Sequence, residues 1–160
     1  MKHTISVLVN NRPGVLARVS SLFSRRGFNI DSLAVSTTED PLVSRMTIVV
    51  TGDEMVLEQI EKQLYKLIDV IKVRDHSEDP LVDRELSLIK VNATPQSRAE
   101  IMQIVEVFRG QIVDMSESSL IIEATGDSEK VDALLRILNP FGIREMVRTG
   151  KVVMVRGGRE

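Results

Sequence analysis

The chain has 160 residues, of which 42% are hydrophobic and 28% charged, with a formal net charge of −2 and no cysteine. That length suits one ordinary domain or two small ones, and the composition is that of a globular protein. The lack of cysteine excludes disulfides and thiolate metal sites, the near-neutral charge argues against general affinity for nucleic acid or acidic membranes, and no apolar run approaches a membrane span. Met1-Lys2-His3 leads straight into a strand pattern, leaving no room for a signal peptide, and a cytoplasmic setting is expected.

In chain order, Ile5, Val7 and Val9 alternate as on a strand buried mainly on one face. Val15, Leu16, Val19, Leu22 and Phe23 form the stripe of an amphipathic helix, which Gly27 stops. Residues 30–37 and 45–51, rich in Val, Ile and Thr and joined through Glu39-Asp40-Pro41, predict a hairpin. Leu57, Ile60, Leu64, Leu67 and Ile68 make a second helical stripe, and Val70–Arg74 a closing strand.

The same order then returns. Leu86–Val91 predicts a strand, and Ile101, Ile104, Val105 and Phe108 line a helix. A hairpin follows over 111–115 and 120–125, then a helix through Val131, Leu134, Leu135 and Leu138, and a strand over 143–148. Thr51-Gly52-Asp53 recurs as Thr125-Gly126-Asp127, and at that spacing Leu57, Ile60 and Leu64 fall on Val131, Leu134 and Leu138. The chain is therefore written twice. Ser77-Glu78-Asp79-Pro80 is the polar junction. The predicted domains are residues 1–77 and 81–150, each a βαββαβ unit: α+β, ferredoxin-like, an antiparallel sheet with two helices on one face. The other face of each sheet needs a cover, which hints at self-association. Residues 151–160, with Lys151, Arg156 and Arg159, read as a frayed basic tail.

Little in this sequence points to catalysis by this chain alone. His3 and His76 have no partners at ligand spacing and read as surface or core histidines. No serine sits in a G-x-S-x-G elbow, no two carboxylates stand out as acid and base, and there is neither a P-loop nor G-x-G-x-x-G. The fold could also serve RNA recognition, which stacks bases on aromatics of the two central strands. Those strands, Thr4–Val9 and Met46–Thr51, carry none.

One stretch invites a ligand. At Asn11-Arg12-Pro13-Gly14 a strand breaks and a helix starts at once. Pro13 fits the first helical position, and Gly14 leaves the donors of Gly14, Val15 and Leu16 uncovered at the positive end of the helix dipole. A carboxylate suits that place. The second copy has Thr94-Pro95-Gln96-Ser97 there, with polar side chains instead of the bare glycine, so a ligand is expected on the first copy.

RPGVLARVSSLFSRRGFNIDSLAVS, residues 12–36, resembles the amino-acid-binding ACT domain. With SRMTIVVTGD and LEQIEKQLYKLIDVIKV after it, and RELSLIKV, FRGQIVDMS and GIREMVRTG in the second half, the chain resembles the small regulatory subunit of acetolactate (acetohydroxyacid) synthase. The resemblance implies a non-catalytic partner of a large catalytic subunit in branched-chain amino-acid synthesis, raising its activity and conferring feedback inhibition by valine. Thiamine diphosphate, Mg and FAD are expected on that large subunit and no cofactor on this chain. It implies a homodimer through the ACT domains with the effector between them. Asn11, Gly14, Val15 and Leu16 of one chain would hold its charged groups, and Asn29 and Ile30 of the other would close the pocket. Asp31 stands where many relatives have Glu, and Asn10-Asn11-Arg12 replaces a more acidic loop, which bears on affinity and effector choice. The reading from another class is a stand-alone amino-acid-sensing protein acting on a different target; copurification with a thiamine-diphosphate enzyme separates the two.

Overall fold

The computed structural model describes residues 1–158. In its first half β1 (Lys2–Asn10), α1 (Val15–Arg25), β2 (Ile30–Thr37), β3 (Val43–Thr51), α2 (Glu54–Leu64) and β4 (Val70–Asp75) follow one another. The second half repeats this as β5 (Leu81–Asn92), α3 (Arg98–Val107), β6 (Gln111–Met115), β7 (Ser119–Gly126), α4 (Ser128–Leu138) and β8 (Ile143–Arg148). The sheets run β2-β3-β1-β4 and β6-β7-β5-β8, with antiparallel neighbours. Both halves are thus βαββαβ units of the ferredoxin-like kind.

Two compact units divide the chain, Met1–Val82 together with the segment from Val153 onward, and Asp83–Val152. The division falls inside β5, two residues beyond the polar junction at Ser77–Pro80.

In the first unit the alternation of β1 sends Ile5, Val7 and Val9 into a core with Val15, Val19, Leu22 and Phe23 of α1 and Leu57, Ile60 and Leu64 of α2. In the second, Ile89 and Val91 meet Ile101, Val105, Leu134 and Leu138. Two residues placed in helical stripes by periodicity lie outside these cores. Leu16 is 44% exposed, since it follows Val15 by about 100° around the helix. Ile68 is 93% exposed because α2 ends at Leu64 and the turn through Tyr65–Leu67 breaks the helical period.

The stretch expected to be a frayed tail contains a strand, β9 (Val152–Val155), which pairs with β5; Arg159 lies outside the described residues. Val153 is buried and its carbonyl accepts from Arg45 Nη2 at 2.9 Å, while Arg156 N–H reaches Pro80 O at 2.8 Å. Thr4 and Ser6, which alternate with the core residues of β1, are buried on the opposite face. That same Arg45 Nη2 also donates to Ser6 Oγ at 3.0 Å. Part of the cover the first sheet needs therefore comes from the segment after Val152.

Candidate functional site

The turn after β1 is built differently from its sequence reading. Helix α1 starts at Val15, and Gly14 is its cap residue, in the left-handed region at φ +85°, with Pro13 one place before it. No side chain caps the helix and its first turn holds no acid. Among the described residues the N–H groups of Gly14, Leu16 and Ala17 meet no acceptor, and that of Val15 reaches Arg12 O only at 3.4 Å. Unpaired donors at a helix start attract an anion. The uncovered donors are those of Gly14, Leu16 and Ala17, because the left-handed cap delays the helix by two residues.

The turn is not bare. Arg18 sits one turn into α1, and helical side chains lean toward the N-terminus. Its guanidinium Nη1 lies 3.3 Å from where a Cβ on Gly14 would stand. The other end of that guanidinium donates to Asp69 Oδ2 at 2.6 Å, and Arg12 Nη1 stands 3.7 Å from Asp69 Oδ1. Asn10 completes the cluster, its Nδ2 donating to Asp69 Oδ1 at 3.3 Å and its N–H to Asp69 O at 2.8 Å. Asp69 is buried, and the hydrogen bonds from Asn10 and then Arg18 hold its carboxyl below the usual carboxylate range. Sequence reasoning missed Arg18 and Asp69. The spacing of Arg18, four residues beyond Gly14, was a usable signal; nothing local marks Asp69, which arrives from the loop before β4.

The other expected site residues separate into two groups. Asn11 stands beside the turn, its N–H bonded to Leu42 O at 2.8 Å and its Nδ2 to Pro41 O at 3.0 Å. Val15 is buried in the core, whereas Leu16 faces outward. Asn29 and Ile30 lie past the far end of α1. An 11-residue helix is about 16 Å long, so one chain does not bring Asn29 to Gly14. Asn29 is exposed and donates through Nδ2 to Asp31 Oδ1 at 2.8 Å; Ile30 is half-buried and packs against the core.

Elsewhere the chemistry is less suited to a carboxylate ligand. In the second unit Thr94 N–H donates to Ser97 Oγ at 2.9 Å and Ser97 N–H to Thr94 Oγ1 at 3.1 Å, and the first turn of α3 carries Glu100, whose charge opposes an anion at that helix start. A cavity of about 670 Å³ in the first unit is walled by Glu54, Glu58, Glu61 and Asp75, and burial, then Asp75 and Glu58, raise the Glu61 carboxyl above its ordinary range. Such walls repel a carboxylate. Ser6, His76 and Asp79 stand in the order of a nucleophile, base and orienting acid, with Ser6 Oγ 2.6 Å from His76 Nε2 and His76 Nδ1 2.9 Å from Asp79 Oδ2. Ser6 is buried, however, is not among the residues lining that cavity, and its oxygen already accepts from Arg45. The array ties β1, β3 and the loop after β4 together. Among the described residues no three His, Asp or Glu side chains gather as a metal site requires, and no helix is long and apolar enough to cross a membrane.

Comparison with known proteins identifies the family. Residues 5–72 match the family described as the AHAS small subunit-like ACT domain, and residues 84–157 the family described as the small subunit of acetolactate synthase. A probable acetolactate synthase small subunit of Archaeoglobus fulgidus is 58% identical over 160 residues, covering 100% of both chains. The acetolactate synthase small subunit of Mycolicibacterium smegmatis is 59% identical over 157 residues, 98% of this chain and 92% of the other. A crystal structure of the acetolactate synthase small subunit from Thermotoga maritima superposes with a TM-score of 0.89 at 46% identity, covering 99% of each chain. With both halves matched and such identity over its whole length, the chain belongs to the family of acetolactate synthase small subunits.

Proposed function

We propose that this chain is the non-catalytic regulatory subunit of a cytoplasmic acetolactate synthase. In this reading it activates the large subunit, which carries thiamine diphosphate, Mg and FAD, and makes it sensitive to valine. The first unit holds the effector and forms the homodimer. The observation that carries the effector site is the uncapped start of α1, where three unpaired N–H groups adjoin Arg18. A carboxylate there satisfies donors that nothing else satisfies, and Asn11 lies beside it. A regulatory ligand acts by favouring one of two states of the assembly, so nothing on this chain has to do chemistry.

Sheet topology supports a pocket shared between chains. Strand β2 is an open edge, with Ile30 at the end near Asn29 and Thr37 at the end near the Gly14 turn. Antiparallel pairing of two β2 edges about a twofold axis sets the Ile30 end of one chain against the Thr37 end of the other. Asn29 and Ile30 of one protomer then approach Gly14 of its partner.

The test is reconstitution. Acetolactate formation by the large subunit is measured alone, with this chain, and with this chain plus valine. The expected result is activation that valine then suppresses, together with a dimer in equilibrium sedimentation that valine tightens by mass action. A large subunit indifferent to this chain overturns the regulatory reading. A monomer in the presence of valine overturns the shared pocket.

A further inference from the structure

We propose that the Arg18–Asp69 ion pair is a lock on the turn at Gly14, opened when the carboxylate of an incoming α-amino acid takes Arg18 from Asp69. The inference rests on the effector reading above and adds to it a positioning residue, Asp69, that acts through Arg18.

Three observations point to an exchange rather than a static brace. First, the guanidinium is shared between two places: Nη1 lies over Gly14, 3.3 Å from the position of a Cβ, and Nη2 is on Asp69 Oδ2 at 2.6 Å. A carboxylate settling on the free N–H groups of Gly14, Leu16 and Ala17 comes within reach of the same fork of donors. Second, the two partners differ in freedom. Asp69 is 8% exposed and its backbone carbonyl accepts from Asn10 N–H, whereas the Arg18 side chain is half exposed on a long stem. Arg18 is the member that moves. Third, a replacement cation waits. Arg12 Nη1 stands 3.7 Å from Asp69 Oδ1, beyond hydrogen-bond reach, on a side chain that is 69% exposed. When Arg18 turns to the ligand, Arg12 and Asn10 keep the Asp69 carboxylate paired.

Arg18 and Asp69 each keep a partner of opposite charge in both states, so the ligand's gain is the difference between two ion pairs rather than the whole of one. Asp69 thereby lowers effector affinity.

Calorimetric titration of the full chain with valine tests this in four variants beside the wild type. Asp69→Asn keeps the shape and releases Arg18, and should tighten valine about fivefold, the scale of a half-exposed ion pair. Arg18→Gln should weaken valine roughly tenfold, for loss of a charge-assisted hydrogen bond. The double variant should match Arg18→Gln within about twofold, because Asp69 acts only through Arg18. Should Asp69→Asn fail to fold, the exposed Arg12→Gln keeps the idea open to refutation. Without the replacement cation Asp69 holds Arg18 harder, and valine should bind about threefold more weakly. Weaker or unchanged binding by a folded Asp69→Asn chain, or additive effects in the double variant, overturns the lock and leaves the effector reading standing. A wild-type chain that binds no valine overturns that reading, and the lock falls with it.

Discussion

Gly14 serves two purposes that pull against each other. Its φ of +85° is one that residues with a Cβ rarely adopt, and its missing Cβ leaves room for the Arg18 guanidinium. Gly14→Asp is expected to abolish valine inhibition and spare activation of the large subunit. The new carboxylate would stand beside Arg18 and satisfy the unpaired N–H groups itself, occupying the ligand's place. Left-handed backbone costs a residue with a Cβ about 1–2 kcal/mol, least for Asn and Asp, while an acid at a helix start returns ~0.3–1 kcal/mol, so folding should lose about 1 kcal/mol at most. An inhibition curve on the reconstituted enzyme, with a melting curve of the variant, separates loss of binding from loss of fold; inhibition at the usual valine concentration would leave the turn as a helix start only. Asn29 makes a second prediction at this scale. Its Nδ2 donates to Asp31, while its Oδ1 accepts no hydrogen bond among the described residues and so has the capacity to accept from an ammonium group. A hydrogen bond to a charged group is worth about 1.5–3 kcal/mol, so Asn29→Ala should weaken valine binding roughly tenfold to a hundredfold in calorimetry. Unchanged affinity removes Asn29 from the pocket.

At the scale of elements, the recurring Thr-Gly-Asp is a helix-start device. Asp53 caps α2 by accepting from Val56 N–H, and Asp127 caps α4 by accepting from Lys130 N–H, both at 2.9 Å. The glycine before each lies close to that next turn; a Cβ on Gly52 would stand 2.7 Å from Val56 Cγ1. Asp53→Ala and Asp127→Ala should each cost about 1 kcal/mol in denaturant unfolding, with valine binding unaffected. A cost near zero in either would show that the cap adds nothing beyond the packing of its helix. Helix α1 lacks such a cap, and so does α3, whose cap residue Ser97 bonds back to Thr94 instead of to the first turn. Among the described residues two of the four α-helix starts lack a side-chain cap; α3 carries Glu100 in its first turn, whereas α1 carries no acid there and has a left-handed glycine beside Arg18, and it is the one assigned to the ligand. This contrast was legible in the sequence, since Gly14 and Ser97 could be compared directly. The position of the helix start was not, because Pro13 favours the first helical turn locally while the left-handed glycine after it postpones the helix.

For the whole molecule, acid is the informative perturbation. His76 is buried between Ser6, Asp79, Arg45 and Arg74, and burial pushes its imidazole below the usual histidine range although Asp79 opposes this. The unfolded chain therefore takes up a proton before the folded one does, so stability declines as pH falls through about 6.5. Asp69 and Asp79 are held low, Asp79 first by Arg74 and then by His76, so their contribution is lost only at still lower pH, below about 4. His76→Gln should remove the first decline and keep the second, as read by denaturant midpoints between pH 7.5 and 3.5. An unchanged first decline assigns it to another group. The network also reaches Val153 through Arg45, so the anchoring of the C-terminal segment should weaken over the same pH range.

Periodicity, turn residues and the internal repeat were enough to set the element order, the two ferredoxin-like units and the place of the open turn, because each follows from neighbours within a few residues. Strands at 111–115 and 143–148 appear as read. Tertiary structure decided what depends on distant partners. Ile68 looks like a helix residue in its local pattern and is solvent-exposed because α2 stops early. Val152–Val155 has no pattern long enough to announce a strand, and it becomes one by pairing with β5. Arg18 and Asp69 are 51 residues apart and meet because β4 starts beside the end of β1. A helix start and the loop that brings Asp69 to it are written in the sequence one fragment at a time, and only folding puts their charges within reach of one another.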